Sequence, residues 1–184
     1  MTTTTIETPT RTTWKIDPIH SHIEFAVRHL MITTVKGRFT GVDGTVLIDE
    51  AHPSSVDVDV RIEASTVDTR EPQRDAHLRS ADFFDVEKFP HLTFKGTRIT
   101  HRRGNEFKLV GDLTIHGVTR EVTLDVTEDG RVKDPWGGDR AGFSARTKVN
   151  RKDFGLLWNQ VLETGGVAVA DEVKINLELE LVKA

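Results

Sequence analysis

Cysteine is absent from all 184 residues, which excludes disulfides, thiolate nucleophiles, cysteine zinc sites and iron–sulfur ligation. Stability must therefore come from packing. An excess of charge of one sign is also missing: 25 Lys and Arg against 29 Asp and Glu leave a formal net charge of −4. Nothing basic enough to attract nucleic acid remains, and Arg102 and Arg103 in "THRRGNEF" stand at a predicted hairpin tip without basic or aromatic neighbours. No apolar run approaches membrane-spanning length. "MTTTTIETPTRTT" has neither the basic opening, the apolar centre nor the small-residue cleavage site of a secretory signal, which predicts a cytoplasmic protein. Catalytic signatures are missing too: H-E-x-x-H, G-x-S-x-G, a phosphate-binding P-loop and G-x-G-x-x-G do not occur.

What is present is a period of two. A composition of 36% hydrophobic and 29% charged residues fits one globular domain. Residues 1–12, threonine-rich and broken by proline, have little to bury and read as a flexible tail, so the domain is expected over 13–184. In "SSVDVDVRIEA", Val56, Val58, Val60 and Ile62 alternate with Asp57, Asp59, Arg61 and Glu63, a half-buried strand whose two aspartates read as a solvated face rather than a catalytic pair. The same alternation returns in "NEFKLVGDLTI", "REVTLDVTE" and "DEVKINLELELV". Gly and Asn in "VDGT", "RRGNE", "HGVT" and "EDGR" supply hairpin turns, so neighbouring strands should pair antiparallel. With Trp14 to Arg28, Val35 to Asp49, "HLTFKGTRITH" and "RAGFSARTKVN", about eight strands are predicted, enough to close an all-β barrel without exposed edges. Only Arg70 to Phe89 departs from this pattern: Ala76, Leu78, Ala81, Phe83 and Phe84 predict one or two short helices across a barrel end. A further helical turn is expected at "NRKDFGLLW", capped by Asn150.

Three of the eight histidines fall in "WKIDPIHSHIEFAVRHL". His20 and His22 lie on the polar face of the first strand. They offer two ligands, whereas zinc takes three or four at about 2.0 to 2.3 Å. His29, seven residues beyond His22 and of opposite parity, lies roughly 23 Å away, so the three cannot share one ion and no obligatory metal site is expected. The inward face mixes Phe25, Phe107 and Phe143 with Gly111, Ala141 and Ala145. Small residues leave room for a ligand or relieve the barrel's taper, and the pattern alone leaves both open.

The segments "WKIDPIHSHIEFAVRHL", "VKGRFTGVDGTV", "RDAHLRSADFFDVEKFPHLTFKG", "GDLTIHGVTREVTLDV" and "RAGFSARTKVNRKDFGL" resemble the successive signatures of the YceI-like, polyisoprenoid-binding family from Trp14 onward. "GLLWNQVLETGGVAVADEV" is similar to its leaderless actinobacterial-type branch. The resemblance implies a lipocalin-like antiparallel barrel that holds a polyprenyl chain, prenyl pyrophosphate or quinone tail without catalysis and without a cofactor, and it implies possible homodimers. Parity on the strands then nominates Phe25, Phe94, Phe107, Leu113, Phe143 and Ile175 as pocket lining, with Phe84 or Trp158 near an end. Arg28, His29, His77 and Arg79 are candidates for the headgroup at one rim. A forty-carbon chain at about 0.3 kcal/mol per heavy atom would gain roughly 12 kcal/mol. Two other readings compete: an isomerase or hydrolase using His29, His77 or His116 at a barrel mouth, and a filled barrel serving as a stress-related interaction module.

Overall fold

In the computed structural model, which describes residues 11–184, the period of two resolves into eleven strand segments. They are β1 (Arg11–Ile16), β2 (His22–His29), β3 (Thr33–Phe39), β4 (Val42–Asp49), β5 (Val56–Glu63), β6 (Val67–Asp68), β7 (His91–Arg103), β8 (Glu106–Ile115), β9 (Val118–Lys133), β10 (Asp139–Asn150) and β11 (Val169–Lys183). Pairing runs β1-β4-β5-β7-β8-β9-β10-β11 and back to β1, every pair antiparallel, which closes a ring of eight. The predicted eight-stranded antiparallel barrel is the fold. β1 begins at Arg11, so Arg11 and Thr12 pair with Asp49 and Ile48 in the sheet; the rest of the expected tail lies outside the described residues.

Three of the eight strands are broken in two, which the alternation did not reveal. β1 and β2 run along the same edge of β11, the first against Leu181 to Lys183 and the second against Val169 to Glu178. Between them Pro18, with no N–H and a fixed φ, cannot continue the ladder. The Ser21 hydroxyl bridges the gap, accepting from Glu180 N at 3.1 Å, while Asp17 N donates to Glu180 O at 2.8 Å. β3 and β4 part at Thr40 and Gly41, and β5 and β6 part at a 3-10 turn, Ala64–Thr66. These two breaks hold each other: Thr40 N and Gly41 N both donate to the Thr66 hydroxyl, at 3.2 and 3.0 Å.

The segment after β6 forms one helix, α1 (Pro72–Arg79), rather than two, and the chain from Ser80 to Pro90 runs through turns. Pro72 suits the first helical position, and the Glu71 carboxylate accepts from Gln73 N and Arg74 N at 3.2 and 2.6 Å. Asn150 caps a 3-10 turn, Arg151–Phe154, as its position in the sequence suggested. The register puts α1, the β2–β3 turn and the 151–168 segment at one end of the barrel, here the helix end. The connections 50–55, 104–105 and 134–138 lie at the far end.

Residues 155–168 cross the helix end with little ladder of their own, and Arg151 anchors them. This side chain is 4% exposed. Its Nη1 donates to the Leu156 and Trp158 carbonyls at 2.6 and 2.8 Å, Nε to Ala170 O at 2.9 Å and Nη2 to Val169 O at 3.2 Å. Burial lowers the Arg151 pKa from its ordinary value, opposed by Asp171 at 3.7 Å. Arg151→Met fills the space but leaves four carbonyls without this donor, and an unsatisfied buried polar group costs about 1–3 kcal/mol. We expect a loss of about 3 kcal/mol or more, measured as a lower urea midpoint; an unchanged midpoint would show that the clamp does not hold the segment.

Candidate functional site

Closure gives the inward faces one common interior, and it is not filled. Val58, Val60, Ile62, Phe94, Phe107, Leu109 and Leu113 point inward yet keep 8–9% exposure, whereas Ala64 and Val67, packed behind α1 and its flanking turn, reach 0%. The space they face is a cavity of about 950 Å³. Along β11 its lining runs from Val169 to Leu181, which at about 3.3 Å per residue and a strand tilt near 40° corresponds to roughly 30 Å of barrel axis. The filled-barrel alternative is therefore not the structure of this protein.

All eight residues nominated for the pocket line this cavity: Phe25, Phe94, Phe107, Leu113, Phe143, Ile175, Phe84 and Trp158. At the helix end, Trp158 packs against His77 and Phe83, with ring centroids 4.7 and 5.4 Å away. Sequence reasoning missed Leu156, Leu162 and Ala168 from the 155–168 segment and Arg74 from α1, because neither stretch carries a strand period that announces an inward side. It also missed the charged lining of the far end, Glu50, Arg102, Glu128 and Arg131.

The small inward residues act differently from one another. Ala145 lines the cavity, whereas Ala141 is packed at 2% exposure and Gly111 is covered. A Cβ on Gly111 would meet the Phe94 ring at 2.6 Å, and one on Gly37 would meet the Phe25 ring at 2.2 Å. Gly37 is the cross-strand partner of Phe25, so the ring lies flat across the neighbouring strand. These two glycines make room for aromatic side chains of the wall, which keeps the rings out of the lumen.

Of the headgroup candidates, Arg28, His29 and His77 line the cavity. Arg79 does not: its Nε donates to Ser65 O at 2.8 Å and its Nη2 to Val67 O at 3.1 Å, tying α1 to the broken strand beneath it. The expectation for Arg79 is corrected accordingly; helix periodicity points its side chain back to the barrel wall. His77 Nε2 is 2.8 Å from Asp82 Oδ2. His116 lies outside the lining, against the Phe89 ring at 4.7 Å.

His20 and His22 do not act together. His20 Nδ1 is 2.9 Å from Asp17 Oδ2, and Asp17, His20 and Glu180 bring their ligand atoms within 4.8 Å of one another. The positive charge there is Arg140: its Nη1 lies 2.9 Å from Asp17 Oδ2 and also contacts Glu180, and its Nε lies 2.8 Å from Asp134 Oδ2. His20 and Arg140 together hold the Asp17 carboxyl down at about 2, and Asp17 raises the His20 pKa. The hub joins the β1–β2 break to the β9–β10 hairpin and to β11.

A family model described as a YceI-like domain matches residues 14–181. The chain is similar to Protein YceI of Salmonella newport (strain SL254), with 44% identity over 137 residues, 74% of this chain and 71% of the relative. Among solved structures it resembles a Campylobacter jejuni YCEI protein at TM-score 0.70 and 30% identity, covering 85% of this chain and 90% of that one. Two further likenesses bear on the fold alone. Burkholderia cenocepacia BcnA gives TM-score 0.78 at 23% identity over 90% of this chain and 98% of its own. A polyisoprenoid binding domain from Saccharophagus degradans, implicated in plant cell wall breakdown, gives 0.68 at 15% identity over 93% and 98%.

Two measurements check this geometry. Gly37→Val should drive the Phe25 ring into the lumen and lower stability by about 1–3 kcal/mol, the usual cost of overpacking. Phe25→Ala in the same chain should recover much of that loss; the absence of any recovery would separate the two residues. The acid limb of stability tests the hub. A carboxyl near 2 in the folded state and 3.8 in its ordinary state contributes stability that is complete above 3.8 and vanishes as pH falls toward 2. Asp17→Asn should flatten the loss of stability over that interval. The raised His20 pKa has the opposite sign: its contribution is present below 6.5 and fades as pH rises through the folded value. Identical pH profiles for wild type and Asp17→Asn would contradict the assignment.

Proposed function

The chain belongs to the YceI-like family, and on that premise we propose that it binds a long apolar lipid of the polyisoprenoid class inside the barrel and carries or sequesters it unchanged. The observation that carries this reading is the continuous apolar cavity of about 950 Å³. At a liquid share of about 30 Å³ per heavy atom the space holds on the order of thirty non-hydrogen atoms, six isoprene units. At about 0.3 kcal/mol per heavy atom such a chain gains roughly 9 kcal/mol, a sub-micromolar dissociation constant, from apolar contact alone. The Saccharophagus neighbour, described as a polyisoprenoid binding domain, is consistent with the same class of ligand. Among the described residues no helix is long and apolar enough to cross a membrane.

The catalytic alternative has less support. His77 faces Asp82, His116 stands outside the lining, and His29 is exposed at the mouth without a hydrogen-bonded nucleophile among the described residues. Carriage needs none of these. Its recognition is spread over Phe, Leu, Ile and Val side chains, which select length and width rather than a functional group.

Displacement titrations with prenyl alcohols of graded length test the proposal. Each added isoprene unit should strengthen binding by about 1.5 kcal/mol, roughly tenfold, until about six units fill the cavity, and the gain should then stop. Ala145→Phe should move that plateau to a shorter chain, because Ala145 lies in the lining opposite Val126 and Leu177. Affinity independent of length in both proteins would sink the carrier reading.

A further inference from the structure

Seven large hydrophobic side chains stand exposed among the described residues, and four of them gather at the helix end. Met31 and Ile32 belong to the β2–β3 turn, and Leu157 and Val161 to the 155–168 segment; they are 52–79% exposed. The two stretches touch, because Leu30 N donates to Ala168 O and Ala168 N to Gln160 O, each at 2.9 Å. Their sequence neighbours Leu30, Leu156 and Leu162 line the cavity. The apolar wall of the lumen therefore continues over the rim onto the outer surface. The far end has no such collar: its lining includes Glu50, Arg102, Glu128 and Arg131, and the exposed Trp136 of the β9–β10 turn is not part of that lining.

The β2–β3 turn places these side chains outside against its own backbone preference. Leu30 and Met31 have φ of 50° and 60°, and Ile32 N donates to His29 O at 3.1 Å, which makes a two-residue hairpin turn of the kind that Asn-Gly forms without strain. Leucine and methionine are poor residues for that conformation. Core packing does not account for Met31 and Ile32, since both face solvent. Leu30 N, Ile32 N and Met31 O are all bonded within the protein, to Ala168 O, His29 O and Arg28 Nη2. A tip with these groups already paired can leave water without orphaning them.

Charge decides what covers this surface. From Phe25 to Val42 the chain has no acidic residue, while Arg28, Lys36 and Arg38 are cationic. Arg38 is paired with Asp68, whereas Arg28 and Lys36, both exposed, stand on the outward phase of the hairpin with no carboxylate within salt-bridge distance among the described residues. Across the collar, Glu163 is the one acid between Leu156 and Ala168. In a chain of net charge −4 the hairpin is a local reversal of sign, which orients its approach to an anionic surface. An apolar tip backed by cations matches the interface of an anionic bilayer, where headgroups attract Lys and Arg and the acyl boundary accepts apolar side chains.

Resting on the lipid-binding reading, we propose that the helix end is a membrane-docking surface. The β2–β3 tip enters the interface of an anionic bilayer together with the exposed side chains of the 155–168 segment, and Arg28 and Lys36 meet the headgroups. The mouth then opens against the bilayer. An apolar chain passes between membrane and lumen over leucine, isoleucine and methionine side chains without crossing water.

Flotation of the full chain with vesicles of phosphatidylcholine and phosphatidylglycerol in equal parts tests the proposal. Wild type should float with them and should bind pure phosphatidylcholine vesicles about tenfold more weakly or less, since each cation near an anionic surface contributes about fivefold. Met31→Gly combined with Ile32→Ser should lower binding to the mixed vesicles about tenfold or more. Glycine suits the positive φ at position 31, so this double variant should keep the wild-type urea midpoint, which separates lost docking from unfolding. Lys36→Gln should lose about fivefold on the mixed vesicles and nothing on phosphatidylcholine. Trp136→Ser, which removes exposed apolar area from the far end, should float as wild type does. Equal flotation of wild type and the double variant, or a loss confined to Trp136→Ser, overturns the docking surface. So does a dimer in solution that dissociates in the double variant while vesicles stay unbound, which would assign the collar to a second copy of the chain. Chain binding is read separately, by titration with geranylgeraniol in the absence of vesicles, where wild type and the double variant should agree within about twofold. A wild type that binds geranylgeraniol but floats with neither vesicle overturns the docking surface and leaves the lipid-binding reading standing; one that floats but takes up no geranylgeraniol does the reverse.

Discussion

Closure of the ring along β11 is the constraint on which the rest of the structure depends. One edge of β11 pairs with β10 from Arg140–Val182 to Asn150–Glu172, and the other edge is shared between β1 and β2. With both edges bonded, Ile175, Leu177 and Leu179 must face the lumen, and Lys174, Asn176 and Glu178 must face solvent. A slip of one residue would exchange the two sets. The same condition applies to each neighbour in turn, so eight amphipathic strands that could not bury their apolar faces separately do so around one axis. Closure also removes the unpaired edges that would otherwise template association.

The ring closes only because three strands bend, and polar side chains replace the ladder bonds lost at the bends. Ser21 does this at the β1–β2 break, and Thr66 serves both of the others. The Arg140 hub reinforces the first break from outside, drawing Asp17, Asp134 and Glu180 around a single guanidinium. Such a cluster satisfies the requirement that partly buried charges be paired, and it uses the very carboxylates that a first inspection would offer to a metal ion.

The lumen owes its volume to what stays out of it. Phenylalanine rings at positions 25 and 94 lie across Gly37 and Gly111, flattening aromatic area into the wall. The 155–168 segment, fastened by Arg151, and the Trp158–His77–Phe83 cluster narrow the helix end without filling the interior.

The sequence by itself determined the fold class, the number of strands, the face each strand turns inward and hence the six strand residues placed in the cavity lining, Phe25, Phe94, Phe107, Leu113, Phe143 and Ile175, because a period of two is a local property that closure merely repeats. The Asn150 cap and a helix within 70–89 were legible for the same reason, since caps and turns act over three or four residues. Only the tertiary structure decided that side chains do not fill the lumen, that Gly111 and Ala141 serve packing while Ala145 lines the cavity, and that Arg79 is spent on carbonyls of residues 65 and 67. It alone set Arg74 at the mouth and Arg140 among three carboxylates distant in sequence. Volume and charge balance are sums over side chains brought together from the whole chain, and no local pattern carries a sum over contacts that do not yet exist.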